Sequence, residues 1–373
     1  MRLNAGGTAD GRTGGRERLV VQLPLLQTGG PPIRPSALPL LDQRLRGTKF
    51  VALEPNSVLN SPQQTGVDFW SLNPYVGCEF GCSYCYARYA HRYAVERAHD
   101  AGRLDDAEFR DFRGAHGWEA FERRIFVKQQ ALAALEADLQ RYFRSAARLD
   151  GAAAPIVIGT ATDPYQPAER RFRLTRQIIT RLARCEGLNV GIITKSTLIT
   201  RDIDVLRRLQ QRNDLEIHVS LISVDATLIK TVEARSPIPT ARLRALRTLV
   251  AAGLNAGLIV APVLPGISDD VPHLDALFRA ARAAGARFVH AGPLRLYPAV
   301  RERFLPLLEE RFPRLEERYR RAYRDRSGAP RAYARALAAR IQDLQARFGF
   351  PVNAGMMDRY RPRHAPAQRA LEL

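Results

Sequence analysis

Six short apolar runs recur along the chain, at Val67 to Leu72, Ile156 to Ile158, Val190 to Thr194, Glu216 to Leu221, Gly257 to Pro262 and Phe288 to Ala291. They read as six buried strands. Between them apolar residues return every three or four positions: Leu132, Leu135, Leu139 and Phe143, then Leu174, Ile178 and Leu182, then Leu243, Leu246, Leu249 and Val250. That spacing lays an apolar stripe along one face of a helix. Strands alternating with helices predict an α/β fold with a parallel sheet and right-handed crossovers. Six such units suit an open, partial (β/α)6 barrel spanning residues 67–297.

The flanks have a different texture. Residues 1–47 are rich in glycine, proline and arginine without sustained periodicity, which predicts a disordered tail, and 48–66 form a lead-in. Residues 86–117 read as a polar, helical insertion. Beyond 298, Phe304, Leu307 and Leu308, then Tyr333, Leu337, Ile341, Leu344 and Phe348, predict a helical cap running to residue 373, with a basic tail at Arg359 to His364.

Charge narrows the partners. The chain of 373 residues carries a formal net charge of +19, almost wholly from arginine, since lysine occurs only as Lys49, Lys128, Lys195 and Lys230. Such an excess attracts polyanions, nucleic acid first among them, although arginine with alanine and glycine also reflects genome base composition. No apolar run approaches the roughly 18 residues of a membrane helix, and Leu19 to Leu26 is broken by Pro24, so neither membrane span nor signal peptide is expected.

The chemistry concentrates in Asn73-Pro74-Tyr75-Val76-Gly77-Cys78-Glu79-Phe80-Gly81-Cys82-Ser83-Tyr84-Cys85-Tyr86-Ala87-Arg88. Thiolates this close along one loop, in C-x3-C-x2-C spacing, suit three irons of a cubane cluster. With His91 they also match a four-ligand zinc knuckle, the mark of a non-enzymatic nucleic-acid-binding protein. A disulfide framework is disfavoured, because only four cysteines occur. Cys185 follows Ile178, Ile179 and Leu182 on a helix face and reads as a small buried apolar residue.

The cysteine spacing resembles that of the radical S-adenosylmethionine (SAM) superfamily. The resemblance implies a [4Fe-4S] cluster on Cys78, Cys82 and Cys85, with S-adenosylmethionine on the open iron and Tyr84 beside its adenine. It also implies a reducing partner such as flavodoxin or ferredoxin. An oxygen-sensitive cluster in a chain without a membrane segment predicts a cytoplasmic protein. Parallel barrels carry their chemistry at the carboxyl ends of the strands. There the sequence offers Thr162 and Asp163, acceptors for the cofactor's amino group, though an Asp163-Pro164 turn also caps helices. It next offers Lys195 with Ser196, suited to a carboxylate or phosphate unless the lysine is solvated, and then Ser220. Arg235 is a candidate second cofactor contact, with a salt bridge to Glu233 as the other reading. Val260 to Gly266 would form an apolar wall for the adenine.

The cysteine loop, Thr162 to Pro167, Ile193 to Ser196 and Ala261 to Gly266 together resemble the branch of bacterial proteins similar to spore photoproduct lyase. That likeness implies a nucleic-acid substrate, a damaged base or an RNA nucleotide; a peptide or small molecule is the alternative. The branch's namesake uses a cysteine hydrogen donor near the end of the second strand, whereas Gly159 to Asp163 contains none. Tyr165 is the candidate substitute.

Overall fold

The computed structural model describes residues 40–43, 47–113, 117–147 and 154–352. Residues 1–39 of the expected tail and 353–373 of the expected cap, with the basic run Arg359 to His364, lie outside them. The strands in chain order are β1 (Leu40–Gln43), β2 (Lys49–Leu53), β3 (Leu59–Asn60), β4 (Trp70–Leu72), β5 (Tyr75–Val76), β6 (Arg124–Lys128), β7 (Ile156–Ile158), β8 (Asn189–Thr194), β9 (Asp214–Ser220), β10 (Ala256–Val263) and β11 (Val289–Pro293).

The six expected strands are β4, β7, β8, β9, β10 and β11, all parallel to their neighbours. With β3 added antiparallel beside β4, the seven-stranded sheet runs β11-β10-β9-β8-β7-β4-β3. Register explains the apolar runs. Leu72, Ile158, Ile192 and Ile217 lie side by side across four strands, and all are fully buried. One residue earlier, Ser71, Val157, Gly191 and Glu216 make the alternate row on the opposite face. The apolar row shares one core with Ile178, Leu182, Leu206, Leu246 and Leu249 of the intervening helices. At roughly 25 cal/mol per Å² of apolar surface removed from water, this continuous layer is the main favourable term in folding.

A second sheet, β1-β2-β6-β5, corrects the reading of the flanks. Residues Leu40–Gln43, placed in the disordered tail, pair antiparallel with β2, and β2 runs parallel to β6. The segment after the cysteines is helical as expected, with helices Arg88–Asp100 and Asp106–Arg113. Its Val95, Ala98, Leu104 and Phe112 cover Val51 of β2 and Phe126 of β6, so the insertion has a core of its own. The described part of the cap holds helices Pro298–Arg311, Pro313–Ala322 and Arg331–Arg347. Gln345 of the last donates to the Val289 carbonyl at 2.8 Å, fixing the cap to β11. Among the described residues no helix is long and apolar enough to cross a membrane.

The end of β7 turns sharply. Gly159 has φ +94°, and a Cβ there would lie 2.4 Å from the Ile193 carbonyl oxygen and 2.7 Å from Pro164. Gly159→Ala is therefore expected to destabilise the protein by about 1–3 kcal/mol or more, read as a lowered urea midpoint; an unchanged midpoint would show that this turn can relax.

Candidate active site

The cysteines lie between β5 and helix Arg88–Asp100, at the carboxyl end of the parallel sheet. Cys78 and Cys82 are buried and Cys85 is partly so. Side chains from remote elements hold the loop's backbone. Thr162 Oγ1 and Gln166 Nε2 donate to the Gly77 carbonyl at 2.6 and 3.1 Å. The Glu79 amide donates to Gln166, and its carboxylate accepts from the Ala168 amide at 2.8 Å. The Cys78 amide reaches Phe121 O, and Ser83 donates through both N and Oγ to Val232 O. Arg88 bridges the Cys82 carbonyl and Glu122, at 2.7 Å each.

The donor set fits an iron-sulfur cluster. Burial pushes all three thiols up, most strongly Cys78, and neighbouring cysteines add to the rise at Cys78 and Cys82. Lys195 opposes it at Cys82 and Cys85. The Phe80 amide serves the Cys78 sulfur and the Ala87 amide the Cys85 sulfur, the kind of hydrogen bonding that tunes cluster thiolates. Burial that disfavours the free thiolate is offset when a metal binds the sulfur. The zinc-knuckle reading loses its fourth ligand: His91 is turned to the Arg124 carbonyl at 2.7 Å and kept neutral by burial, which lowers its pKa to about 4. Cys185 is partly buried rather than buried, its sulfur accepting from Arg181 at 3.1 Å.

Beside the cysteines lies a charged cluster. Lys195 Nζ donates to Ser220 Oγ at 3.0 Å, stands 5.6 Å above the Tyr84 ring and lies 4.0 Å from Glu233. Tyr84 donates its hydroxyl to Glu233, which also accepts from Ser236 and from Arg242. Burial alone would raise the Glu233 carboxyl, but Arg242 and then Lys195 bring it below the ordinary range. Burial likewise opposes the charge on Lys195, and Cys82 and Glu233 outweigh it. Lys195 is therefore neither solvated nor isolated.

Asp163 sits under this cluster. It accepts from Thr194 Oγ1 and the Lys195 amide at 2.7 Å each and from the Tyr165 amide at 2.9 Å, so it positions the start of the Lys195 segment. Three hydrogen bonds on a carboxylate leave about one acceptor position open.

Two expected residues stand elsewhere. Arg235 has Glu122 as its carboxylate partner, at 2.5 Å, not Glu233. It donates to Glu79 O, and a Cβ on Gly81, φ +68°, would lie 2.8 Å from its guanidinium. Arg235 is thus a brace clamped onto the cysteine loop, 39% exposed on its outer side. Tyr165 is fully buried; burial first, then Asp202 and Glu169, hold its phenol well above the ordinary range. A phenol so fully enclosed beside those carboxylates does not suit a hydrogen donor to substrate.

Residues missed by sequence reasoning are Arg242, Glu122, Asn73 and Gln166. Asn73 joins Ser71, Thr160 and the Ala161 amide, stitching the end of β4 to the end of β7. The one available signal was Asn73-Pro74 just after a strand.

A family model described as the radical SAM superfamily matches residues 72–277. An uncharacterised protein of Mycobacterium tuberculosis is 33% identical over 333 residues, which cover 86% of this chain and 89% of the relative. Another from Methanocaldococcus jannaschii is 25% identical over 198 residues, 53% of this chain and 61% of the relative. Among solved structures, spore photoproduct lyase complexed with dinucleoside spore photoproduct gives a TM-score of 0.56 at 16% identity, covering 80% of this chain and 79% of the lyase. A double mutant of that lyase with bound AdoMet and dinucleoside spore photoproduct gives 0.57 at the same identity and coverage. At that identity the likeness is one of fold.

Proposed function

Because the chain belongs to the radical SAM superfamily and is an enzyme, we propose that Cys78, Cys82 and Cys85 hold a [4Fe-4S] cluster with S-adenosylmethionine on the fourth iron, and that the resulting radical chemistry acts on nucleic acid. The observation that carries this reading is three thiols, two buried and one partly so, on one loop anchored by other side chains, with the Lys195 ammonium beside Cys82 and Cys85. When bound, such a cluster relays an electron from a flavodoxin or ferredoxin to S-adenosylmethionine and splits it to methionine and a 5'-deoxyadenosyl radical.

The chain's own groups bind and orient. Lys195 and Ser220 offer an ammonium and a hydroxyl to the methionyl carboxylate. The remaining acceptor position of Asp163 suits the amino group, since an ammonium carries donors only. Thr162 serves the site through the Gly77 carbonyl. Tyr84, its hydroxyl fixed by Glu233, presents a flat ring beside the adenine. Lys195→Ala is expected to weaken S-adenosylmethionine binding tenfold to a hundredfold, the loss of a charge-assisted hydrogen bond of about 1.5–3 kcal/mol, with iron content unchanged. Unaltered affinity by calorimetry would remove Lys195 from the cofactor site.

Nucleic acid is favoured as substrate by the +19 net charge and by the fold shared with a lyase bound to a dinucleoside photoproduct. The absence of cysteine from Gly159 to Asp163 and the position of Tyr165 argue against the lyase's own reaction. The test is anaerobic turnover with reductant and S-adenosylmethionine, with and without damaged DNA or RNA oligonucleotides, scoring 5'-deoxyadenosine and mass changes in the nucleic acid. Cleavage that no oligonucleotide stimulates, with no modified nucleotide, would move the substrate to a peptide or small molecule.

A further inference from the structure

Exposed aromatic side chains cluster at one place. Tyr86, Tyr89 and Tyr93 are 43%, 46% and 55% exposed. Tyr89 and Tyr93 stand four apart on one face of helix Arg88–Asp100, and Tyr86, in the turn that leads from Cys85 into the helix, stacks on Tyr89. Single exposed apolar residues are ordinary, but a contiguous run marks an interaction surface. The rings of Tyr86 and Tyr89 stack with centroids 6.5 Å apart and planes 21° apart, and the Arg97 guanidinium lies 5.6 Å above Tyr93.

The stripe has a counterpart across the barrel's open side. Arg295 and Tyr297, just past β11, come within electrostatic reach of Tyr86, and Tyr297 also of Tyr89. β11 is one edge of the sheet, while the cysteine loop that leads into the stripe follows β4, next to the other edge. The group therefore flanks the seam an incomplete barrel leaves open, beside the last cysteine. Among the described residues neither Arg97 nor Arg295 forms an ion pair, while Arg92 is matched by Glu96 with Glu302 in electrostatic reach.

We propose that this stripe stacks unpaired bases of a single-stranded nucleic acid entering the open side of the barrel, with Arg97 and Arg295 on its phosphates. Flat faces beside free guanidinium groups suit that ligand, because every base offers a π-face and every linkage an anion. An acidic peptide would use the arginines and leave the ring faces idle. The inference rests on the proposed nucleic-acid substrate and adds the surface that docks it.

The test uses anaerobically prepared, cluster-containing protein and fluorescein-labelled (dT)12, read by anisotropy at fixed salt. The parent should bind this strand more tightly than a duplex of equal length, the reverse of what charge density alone gives. Tyr89→Leu and Tyr93→Leu should each raise Kd about fivefold to a hundredfold, as for one lost base stack, with iron content unchanged. Tyr89→Phe should retain affinity. Arg295→Glu should weaken binding more than Arg244→Glu, a matched charge change on an exposed helix position away from the seam. Binding by the parent with all tyrosine variants unaffected, equal effects of the two arginine changes, or equal displacement by polyglutamate would overturn the docking surface while leaving the substrate proposal standing. No binding of (dT)12 by the parent at low salt would overturn both.

Discussion

Single replacement of Cys78, Cys82 or Cys85 by alanine is expected to take the reconstituted protein from about four irons and four sulfides per chain to almost none, and to abolish reductive cleavage of S-adenosylmethionine. Each thiolate would hold its own iron, so no two of them can compensate for a third. The fold should survive the loss. The loop's backbone is anchored by Thr162, Gln166, Glu79, Ser83 and Arg88 rather than by sulfur, and each change removes one small side chain. Cys185→Ala is the matched control, its sulfur engaged with Arg181 of the preceding helix Leu174–Leu182. Iron and acid-labile sulfide assays decide the matter. Iron retained in any of the three variants, or stoichiometric zinc in the parent without iron-sulfur absorbance, would refute the cluster assignment.

What the sequence made legible follows from how locally each feature is specified. The parallel strands were readable because strands covered on both faces are continuously apolar, as in Ile156 to Ile158. The second sheet was not, because β2 and β6 begin on Lys49 and Arg124, charges that suggest loop. In the structure both share the carboxylate of Asp111, which lies 62 residues from Lys49 along the chain. The cysteine motif was legible because its spacing is local, within eight residues of one loop. Lys195 and Ser220 were legible because strand ends fix their place, and the structure brings them to 3.0 Å of each other. Arg235 was misplaced because its carboxylate partner stands 113 residues away. Arg242 was invisible for a different reason. It lies beside Leu243 in a helix whose leucine stripe implied that the charged positions faced solvent, yet its side chain is wholly buried.

That buried arginine carries the second large expected effect. Arg242 and Glu233 are both fully buried and paired, and Arg242 further donates to Pro237 O at 2.7 Å and to Ser220 O at 2.9 Å. Arg242→Met removes the guanidinium and leaves Glu233 desolvated with only Lys195, Tyr84 and Ser236 around it. Breaking one side of a buried pair in this way costs about 3–5 kcal/mol, a large share of a typical folding stability of about 5–15 kcal/mol. Arg242→Lys keeps the charge but not the planar fork that reaches two carbonyls and a carboxylate at once, so it should fall between parent and Met variant. Adding Glu233→Gln to Arg242→Met removes the orphaned charge, and the pair should lose less than the sum of the single changes, the sign of direct coupling. Urea midpoints of the anaerobic proteins give these comparisons. The damage should also reach the cofactor, because Glu233 fixes Tyr84 and faces Lys195, while the neighbouring Val232 carbonyl holds Ser83 inside the cysteine loop. S-adenosylmethionine affinity should therefore drop in Arg242→Met even under conditions where the protein remains folded. A midpoint within about 1 kcal/mol of the parent, the net worth of an ordinary hydrogen bond, would show that this buried pair does not hold the site together.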